Sequence, residues 1–196
     1  NLKVYGEIIS EMSNENQEEI ATILEQTEKL DFLIQSLVKL SRMESGIIAV
    51  HSEDTTITQM LESIQQQFNV KVREKNITLS LCDTDLHVRC DSKWTVEALG
   101  NIVDNAIKYT ACGGNVQIKV EQYSFFVKID IIDDGIGIEK EEIPKIFGRF
   151  YRSLSVADQP GVGIGLFLAR EIIQAQKGYI KVTSEREKGS TFSVFL

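Results

Sequence analysis

The sequence predicts an α+β fold, in which one mixed β-sheet carries its helices on a single face. The sequence has seven strand-like segments, which is more than a regular alternation of strands and helices (βαβ units) would require. Several of these segments are joined by tight turns. A long amphipathic segment precedes them and predicts a helical hairpin. With 196 residues, 42% of them hydrophobic and only 2 prolines, the chain can bury one good core and an appendage.

Composition argues against several classes of protein. The net charge of −8 disfavours nucleic-acid binding, because neutralising phosphates requires clustered Lys and Arg. No apolar run approaches the roughly 20 residues that span a bilayer, and no signal-peptide pattern opens the sequence. Cys82, Cys90 and Cys112 are odd in number and lack a CxxC spacing, so neither a disulfide framework nor a zinc site is expected. These features predict a soluble, cytosolic domain.

The first long element is a helix predicted from about Glu15 to Glu44. Its apolar positions recur every three or four residues and form one stripe. The stripe consists of Ile20, Leu24, Thr27, Leu30, Ile34, Leu37 and Ser41. Residues 2–12 have the pattern of an earlier helix, so the chain is expected to open inside a hairpin. Such a stripe favours burial against a second copy, as a homodimeric four-helix bundle, over a helix packed on its own domain.

The sheet domain is predicted to begin after Gly46. Between Ile57 and Phe68 the apolar residues fall on one helical face, and Asp91 supplies the cap of a second helix. The predicted elements are a strand at 47–50, a helix at 55–75, strands at 77–81 and 86–89, and a helix from Asp91 to about Tyr109.

The second half alternates between strands and short helices. Residues 115–121 and 125–132 predict a β-hairpin that turns near 122–124. The remaining predicted elements are a short helix at 139–147, a helix at 164–176 that ends at Lys177-Gly178, and strands at 179–183 and 191–196 around a turn at Gly189.

The helix that follows Asp91 carries the first of three polar motifs. Asn101, Asn105 and Lys108 fall on one of its faces. One amide oxygen could complete the shell of a Mg²⁺ ion that keeps water and phosphate oxygens as its other ligands, and Lys108 could offset phosphate charge. Tyr109 could place its ring on a nucleobase. By themselves, two asparagines could also cap the helix or be solvated.

The second motif, Asp133 to Ile138, follows a strongly apolar strand. An ionised carboxylate only accepts hydrogen bonds, so Asp133 would select the amino group of adenine over the carbonyl of guanine. Gly135 and Gly137 would let a ligand approach the backbone. Two alternatives to this adenine-binding role remain. The motif could be a plain turn, or Asp133 and Asp134 could hold a metal ion.

The third motif places Gly161, Gly163 and Gly165 before a helix, where free N–H groups and the helix dipole would face an anion. The spacing fits neither the GxGxxG fingerprint nor a Walker loop. Residues 153–162 are predicted to form a mobile lid.

A further segment, residues 146–152, precedes this lid. Its aromatic residues would anchor the base of the lid. Arg149 and Arg152 could each bring a guanidinium group to a γ-phosphate, or could be solvated surface residues.

These motifs, in this order, resemble the N, G1, F and G2 boxes of sensor histidine kinases, which belong to the GHKL ATPase superfamily, and 189–192 resembles their final glycine box. The resemblance covers roughly residues 47–196. It implies a Bergerat fold, a two-layer α/β sandwich that binds Mg-ATP and transfers the γ-phosphoryl group to a histidine. Residues 30–46 are similar to the end of the family's dimerisation hairpin. The implied domains are therefore a truncated hairpin at 1–46 and an ATP-binding catalytic domain at 47–196.

The resemblance also implies a role for each motif residue. Asn105 would bind Mg²⁺ with Asn101 as its polar neighbour, and Asp133 would take the adenine amino group. Arg149 would stabilise the γ-phosphate, so Arg149 and Asn101 are the implied catalytic residues. The other implied nucleotide contacts are Lys108, Tyr109, Gly135, Gly137, Ile138, Arg152, Gly161, Gly163, Gly165, Leu166 and Thr191.

Position 101 separates two reactions within this superfamily. The hydrolysing clamps resemble this helix but place a general-base Glu at the position of Asn101. Transfer to a protein acceptor is therefore favoured over hydrolysis, with Glu97 as a weaker candidate base. A clamp ATPase and a non-catalytic dimer scaffold are the alternative functions.

The acceptor histidine is the missing part of the pattern. Neither His51 nor His87 has the acidic and proline neighbours of the family's acceptor box, so this chain is expected to be a fragment that binds ATP without phosphorylating itself. The resemblance implies a homodimer through the N-terminal helices and a response regulator receiver domain as partners. It also implies a cytoplasmic location, with membrane attachment only through segments upstream.

Overall fold

The computed structural model describes residues 17–44, 50–153, 156, 159 and 161–196, which fall into two compact units. The first unit contains the long helix α1, Gln17–Glu44, together with Gln159, Gly161 and Val162. The second unit contains the other described residues. The helix predicted to precede α1 lies outside the described residues.

Helix α1 has 28 residues and agrees with the predicted amphipathic helix. Its apolar stripe is only partly covered. Ile20 and Ser36 are buried, whereas Leu30 and Ile34 are each 58% exposed. The exposed apolar residues of α1 are Ile23, Leu30, Ile34, Leu37 and Val38. None of the described helices is long and apolar enough to cross a membrane.

The second unit is built from seven strands and three helices among its described residues. In chain order they are β1 Glu53–Thr56, α2 Ile57–Glu74, β2 Thr78–Leu81, β3 His87–Cys90, α3 Ser92–Tyr109, β4 Asn115–Gln122, β5 Val127–Asp133, α4 Gly165–Ala175, β6 Tyr179–Glu185 and β7 Gly189–Phe195. Five strands form one sheet in the order β2-β4-β5-β7-β6, and β1 pairs with β3 in a separate ribbon. Strands β2 and β4 are parallel, and the other neighbours are antiparallel.

One face of this sheet forms the core. In β4 and β5, Val116, Ile118, Ile129 and Ile131 are buried, together with the apolar residues of α2, α3 and α4. The residues between them in β4, such as Lys119, are exposed because successive side chains point to opposite faces. The predicted α+β class, with a mixed sheet covered on one face, is confirmed. The predicted N-terminal cap of α3 is also confirmed, because Asp91 Oδ1 accepts a hydrogen bond from the Trp94 amide at 3.1 Å.

Two predicted elements differ from the structure. The helix predicted from residue 55 begins at Ile57, because Thr55 and Thr56 pair with β3 instead. The short helix predicted at 139–147 is wrong: the segment consists of turns. Pro144 has no amide hydrogen to donate within that segment, so regular helical bonding is interrupted there. The strand predicted at 47–50 lies outside the described residues except for Val50, which belongs to no strand.

Candidate functional site

The polar face of α3 is the first part of the site. Asn101 donates a hydrogen bond from Nδ2 to the Glu97 carbonyl at 2.9 Å, which fixes the orientation of its amide. Asn105 lies one turn later and is half-buried. Its amide makes no hydrogen bond with the residues that the structure describes. Asn105 is therefore the asparagine whose whole amide is available to a ligand, whereas the Nδ2 atom of Asn101 is already bonded.

Asn101 brings α3 against the start of α4. A Cβ atom on Gly165 would lie 2.9 Å from Asn101 Oδ1, so the absence of a side chain at Gly165 makes room for this amide. The residue before the helix, Ile164, makes no side-chain cap for its first turn. Amide groups at the start of α4 therefore remain without that partner, next to the asparagine motif.

The end of α3 connects to the second motif. The Tyr109 carbonyl accepts a hydrogen bond from the Ile136 amide at 3.2 Å. Lys108 Nζ lies 4.7 Å from the centroid of the Tyr109 ring. The two side chains predicted to meet a nucleotide thus contact each other, and one approach to the Tyr109 ring is occupied by an ammonium group.

Lys75 supports the same helix end and was missed by sequence reasoning. Its Nζ donates hydrogen bonds to the carbonyls of Ile107 at 2.9 Å and Lys108 at 2.6 Å. Burial lowers the pKa of Lys75, and the nearby Cys112 thiol opposes this shift. A cation at the C-terminus of a helix also complements its dipole. No local pattern predicts this contact, because Lys75 comes from the end of α2, more than 30 residues away.

Asp133 lies at the end of β5 and is buried, with 7% of its surface exposed. Its Oδ1 atom accepts hydrogen bonds from the amides of Gly135 at 3.0 Å and Ser190 at 3.2 Å. Burial raises the pKa of Asp133, while the two amides oppose this shift and the charge of Asp134 adds to it. Both recorded donors reach Oδ1, so Oδ2 is the oxygen that could accept a hydrogen bond from a ligand.

Asp134 has a different role from Asp133. Its two oxygens accept hydrogen bonds from the backbone amide and the side-chain Nδ2 of Asn115, each at 2.8 Å. Burial would raise the pKa of Asp134, but the bonds from Asn115 outweigh it and lower the pKa. The two carboxylates are therefore held by different segments, and the described residues contain no cluster of three metal-binding side chains.

The glycines of the second and third motifs are required by the protein's own packing. At Gly135 a Cβ atom would lie 2.6 Å from the Tyr109 carbonyl oxygen, and at Gly163 one would lie 2.6 Å from the Tyr151 carbonyl oxygen. At Gly137, which has a φ of 68°, it would collide with the carbonyl of Glu185. The backbone that approaches these glycines is the protein's own. The ligand contacts expected at Gly135 and Gly137 remain a prediction, to which this packing adds a structural reason for glycine.

The arginines of residues 146–152 are held by different contacts. Arg149 Cζ lies 4.6 Å from the centroid of the Phe167 ring in α4. Arg152 Nη2 donates a hydrogen bond to the Val156 carbonyl at 2.8 Å. The lid that the aromatic residues were expected to anchor lies largely outside the described residues, and Phe150 is 55% exposed with a φ of 60°.

The remaining predicted residues lie on other elements. The Ile138 amide donates a hydrogen bond to Ser184 Oγ at 2.8 Å, which joins the second motif to β6. Leu166 is half-buried in the first turn of α4, and Thr191 lies on β7 opposite Ile132. Gly161 has a φ of 144° and belongs to the first compact unit with α1.

The comparisons with known proteins agree with this geometry. Residues 90–196, more than half of the chain, match the family described as histidine kinase-, DNA gyrase B-, and HSP90-like ATPase. The sensor histidine kinase WalK of Bacillus subtilis is 31% identical over 204 residues, which cover 100% of this chain and 33% of WalK.

Solved structures show the same fold. The histidine kinase AdeS of Acinetobacter baumannii superposes with a TM-score of 0.75 at 25% identity, over 99% of this chain and 90% of AdeS. The mycobacterial sensor histidine kinase MprB has a TM-score of 0.66 at 26% identity, over 74% of this chain and 97% of MprB. These matches confirm the resemblance found in the motifs.

The chain spans only part of its curated relatives, between 21% and 39% of the length of those compared. Within that span it retains the asparagine helix, the Asp133 motif and the glycine loop in the order that the family has. The chain therefore belongs to the family of histidine kinase-, DNA gyrase B- and HSP90-like ATPases, with the fold of a sensor histidine kinase catalytic domain.

Proposed function

We propose that this chain binds Mg-ATP and transfers the γ-phosphoryl group to a histidine on a dimerisation hairpin, for relay to an aspartate of a response regulator. The observation that carries the proposal is the convergence of three segments. Asn101 contacts the start of α4 at Gly165, and the end of α3 at Tyr109 bonds to the loop that follows Asp133. The names of the relatives, which are sensor histidine kinases, support the same reaction.

The base of the nucleotide would be selected by Asp133. The amides of Gly135 and Ser190 hold Oδ1, so Oδ2 can accept a hydrogen bond from the adenine amino group. Guanine presents a carbonyl oxygen at that position, which would face another acceptor. The ring of Tyr109 would stack on the adenine. If the adenine stacks on the face that the Lys108 ammonium group now contacts, Lys108 would have to move away from the ring.

The donor set fits a magnesium ion held through phosphate. Asn105 would supply one neutral amide oxygen, and its amide makes no hydrogen bond to described residues that binding would have to break. The ion would offset negative charge on the phosphate oxygens. Asn101 would keep its bond to Glu97 and position its neighbour rather than coordinate the ion.

The phosphates would be bound by the third motif and by cationic groups. The free amides at the start of α4, including the Gly163–Leu166 segment, favour an anion. Lys108, once released from Tyr109, and Arg149 would neutralise charge on the γ-phosphate, with Arg152 and Thr191 as further contacts. The backbone at Gly135, Gly137 and Ile138 would also contact the nucleotide. At the two glycines this contact would be on the side that does not face the Tyr109 and Glu185 carbonyls.

Transfer is favoured over hydrolysis by position 101. An amide cannot remove a proton from water, and the Asn101 amide is already bonded to the Glu97 carbonyl. Catalysis would then come from positioning the acceptor and from charge neutralisation by Arg149. A clamp ATPase of the same fold, the second candidate, would need a base at this position.

The domain boundary and the partners complete the proposal. We place a dimerisation hairpin at residues 1–46 and the catalytic domain at 47–196. The exposed apolar residues of α1 support a homodimer, since a row of them at heptad-like spacing is typical of a coiled-coil seam. The response regulator follows from the proposed reaction, because a phosphohistidine needs an acceptor.

A transfer assay tests the proposal. The chain is mixed with Mg-ATP and a separate hairpin that carries a candidate acceptor histidine, and radiolabelled phosphate is followed on the hairpin. We expect acid-labile label on the hairpin, little phosphate release without it, and weaker ATP binding with less label in Asp133→Asn. Steady phosphate release without any acceptor would support the clamp instead, and undiminished ATP affinity in Asp133→Asn would remove the adenine assignment.

A further inference from the structure

One aromatic ring in α4 contacts two guanidinium groups. Arg149 Cζ lies 4.6 Å from the centroid of the Phe167 ring, and Arg170 Cζ lies 5.5 Å from it. Arg170 Cζ also lies 5.6 Å from the centroid of the Phe147 ring. Phe167 itself is 7% exposed. The segment that carries Phe147 and Arg149 is thus stacked on α4 through rings and cations.

The backbone holds the same two segments together. A Cβ atom on Gly163 would lie 2.6 Å from the Tyr151 carbonyl oxygen and 2.8 Å from the Phe150 carbonyl carbon. Two residues later, Gly165 packs on Asn101. Arg149 is therefore attached to the helix start that faces the asparagine motif, although it comes from a separate segment of turns.

Arg170 also contacts the Phe167 ring, and it helps to hold this ring in place. Its Nε atom is buried without a hydrogen-bond partner among the described residues, and its nearest carboxylate, Glu171, is 3.6 Å away. The Arg170 guanidinium therefore contacts the Phe147 and Phe167 rings as well as Glu171. The ring of Phe167 sits in a fixed place, between its own helix and the segment that carries Arg149.

We propose that Phe167 is the positioning residue for Arg149, and that its aromatic face directs the guanidinium toward the terminal phosphate. A guanidinium on a flexible stem has many orientations, and attraction to an aromatic face selects among them. A leucine at this place would fill similar space but has no ring quadrupole to attract the cation. This inference rests on the proposed binding of ATP and assigns a residue that no sequence motif singled out.

The test compares the affinity of the chain for a non-hydrolysable ATP analogue with its affinity for ADP, both with Mg²⁺. In the unmodified chain we expect a preference for the triphosphate that depends on Arg149. Phe167→Leu should reduce this preference about fivefold, as expected for a cation–π contact in a partly buried site. Phe167→Tyr should retain it. In a double-mutant cycle, Phe167→Leu combined with Arg149→Ala should cost no more than Arg149→Ala alone.

A matched control removes a ring elsewhere. Phe195 stacks on Tyr179 at the opposite end of the sheet, with ring centroids 4.3 Å apart, and Phe195→Leu should leave the ATP-to-ADP ratio unchanged. Thermal unfolding of each variant checks that the fold is retained. If Phe167→Leu keeps the triphosphate preference that Arg149→Ala loses, or if the two effects add, the inference is wrong while the proposed function stands. A chain that binds neither nucleotide overturns both.

Discussion

Asn101 and Gly165 meet where α3 crosses the start of α4, so closely that a methyl group on Gly165 would lie 2.9 Å from the Asn101 amide oxygen. We predict that Gly165→Ala lowers Mg-ATP affinity several-fold. The added methyl would turn the Asn101 amide away from its bond to Glu97, whereas alanine itself suits a helix. The free energy of unfolding should therefore change by no more than about 1 kcal/mol.

Isothermal titration calorimetry and chemical denaturation measure the two quantities. Gly100→Ala is the matched control, because Gly100 is also helical and a Cβ there would be 3.6 Å from its nearest neighbour. Equal losses of ATP affinity in both variants would show that the contact with Asn101 is not responsible.

The raised pKa of Asp133 predicts a pH dependence of nucleotide binding. The adenine amino group would need the ionised carboxylate, so affinity for ATP should fall as the pH is lowered toward the raised pKa of Asp133. Asp133→Asn should bind roughly 10- to 100-fold more weakly at neutral pH, since a lost hydrogen bond to a charged group costs about 1.5–3 kcal/mol. Calorimetry from neutral pH downward through the titration of Asp133 should show the ratio of wild-type to variant affinity shrinking at acid pH; a ratio that stays constant throughout that titration contradicts the assignment.

The raised pKa of Asp133 also predicts how the stability of the nucleotide-free chain depends on pH. Because folding raises the pKa of Asp133, the folded chain binds this proton more tightly than the unfolded chain does. The contribution of Asp133 to stability therefore declines as the pH rises from its ordinary value of 3.8 through the raised pKa. We expect the stability of Asp133→Asn, relative to wild type, to improve over that window in urea unfolding.

Asp134 should behave in the opposite way. Its pKa is lowered, so its contribution to stability is present above the ordinary value of 3.8 and is lost as the pH falls through the lowered pKa. Asp134→Ala should cost about 1 kcal/mol of unfolding free energy at pH 7, because Asn115 loses both hydrogen bonds. ATP affinity should change little. A loss of ATP affinity as large as that in Asp133→Asn would revive a joint role for the two aspartates.

Lys75→Met is predicted to weaken nucleotide binding from outside the motifs. It would leave the carbonyls of Ile107 and Lys108 without their donor, at a cost of about 1–3 kcal/mol, and would loosen the helix end that carries Tyr109. Lys71→Met is the control, since its ion pair with Asp104 is solvent-exposed and such pairs contribute about 0–1 kcal/mol. Comparable effects of the two substitutions, in denaturation and in ATP titration, would argue against this supporting role.

The exposed stripe of α1 predicts the oligomeric state. Ile34 is 58% exposed, and Ile34→Asp should convert a dimer to a monomer, because it would place a charge in the apolar seam between two copies. Gln35→Lys, at an exposed neighbouring position, should leave the dimer intact. Sedimentation velocity at several concentrations measures both. A wild-type chain that is monomeric throughout the range would contradict the proposed dimer.

Sequence reasoning predicted the local features well. The Asp91 cap, the polar face of α3 and the strand that ends at Asp133 each follow from residues close together in the chain. Helical and strand periodicities also predicted the α+β class. The segment around Pro144 is a local exception. Its apolar residues have the spacing of a short helix, but Pro144 has no backbone N–H group for a helical hydrogen bond, and the segment forms turns.

The contacts that support the site were beyond such reasoning. Lys75 reaches the end of α3 across 32 residues, and Asn115 bonds to Asp134 across 19. Phe167 had the pattern of an ordinary core residue of α4, and its contact with Arg149 depends on how a segment of turns packs on that helix. The packing of Gly137 against the Glu185 carbonyl could not be predicted either, because Glu185 lies in a hairpin much later in the chain.

The bond between Asp133 and Ser190 has a consequence for protein synthesis. Ser190 lies 57 residues after Asp133, on the strand that pairs with β5. A nascent chain that has not yet added β7 already carries both asparagines and both aspartates, yet it lacks one of the two amides that hold the Asp133 carboxylate. We therefore expect ATP, present throughout translation, to protect the domain from proteases only after β7 has left the ribosome and paired.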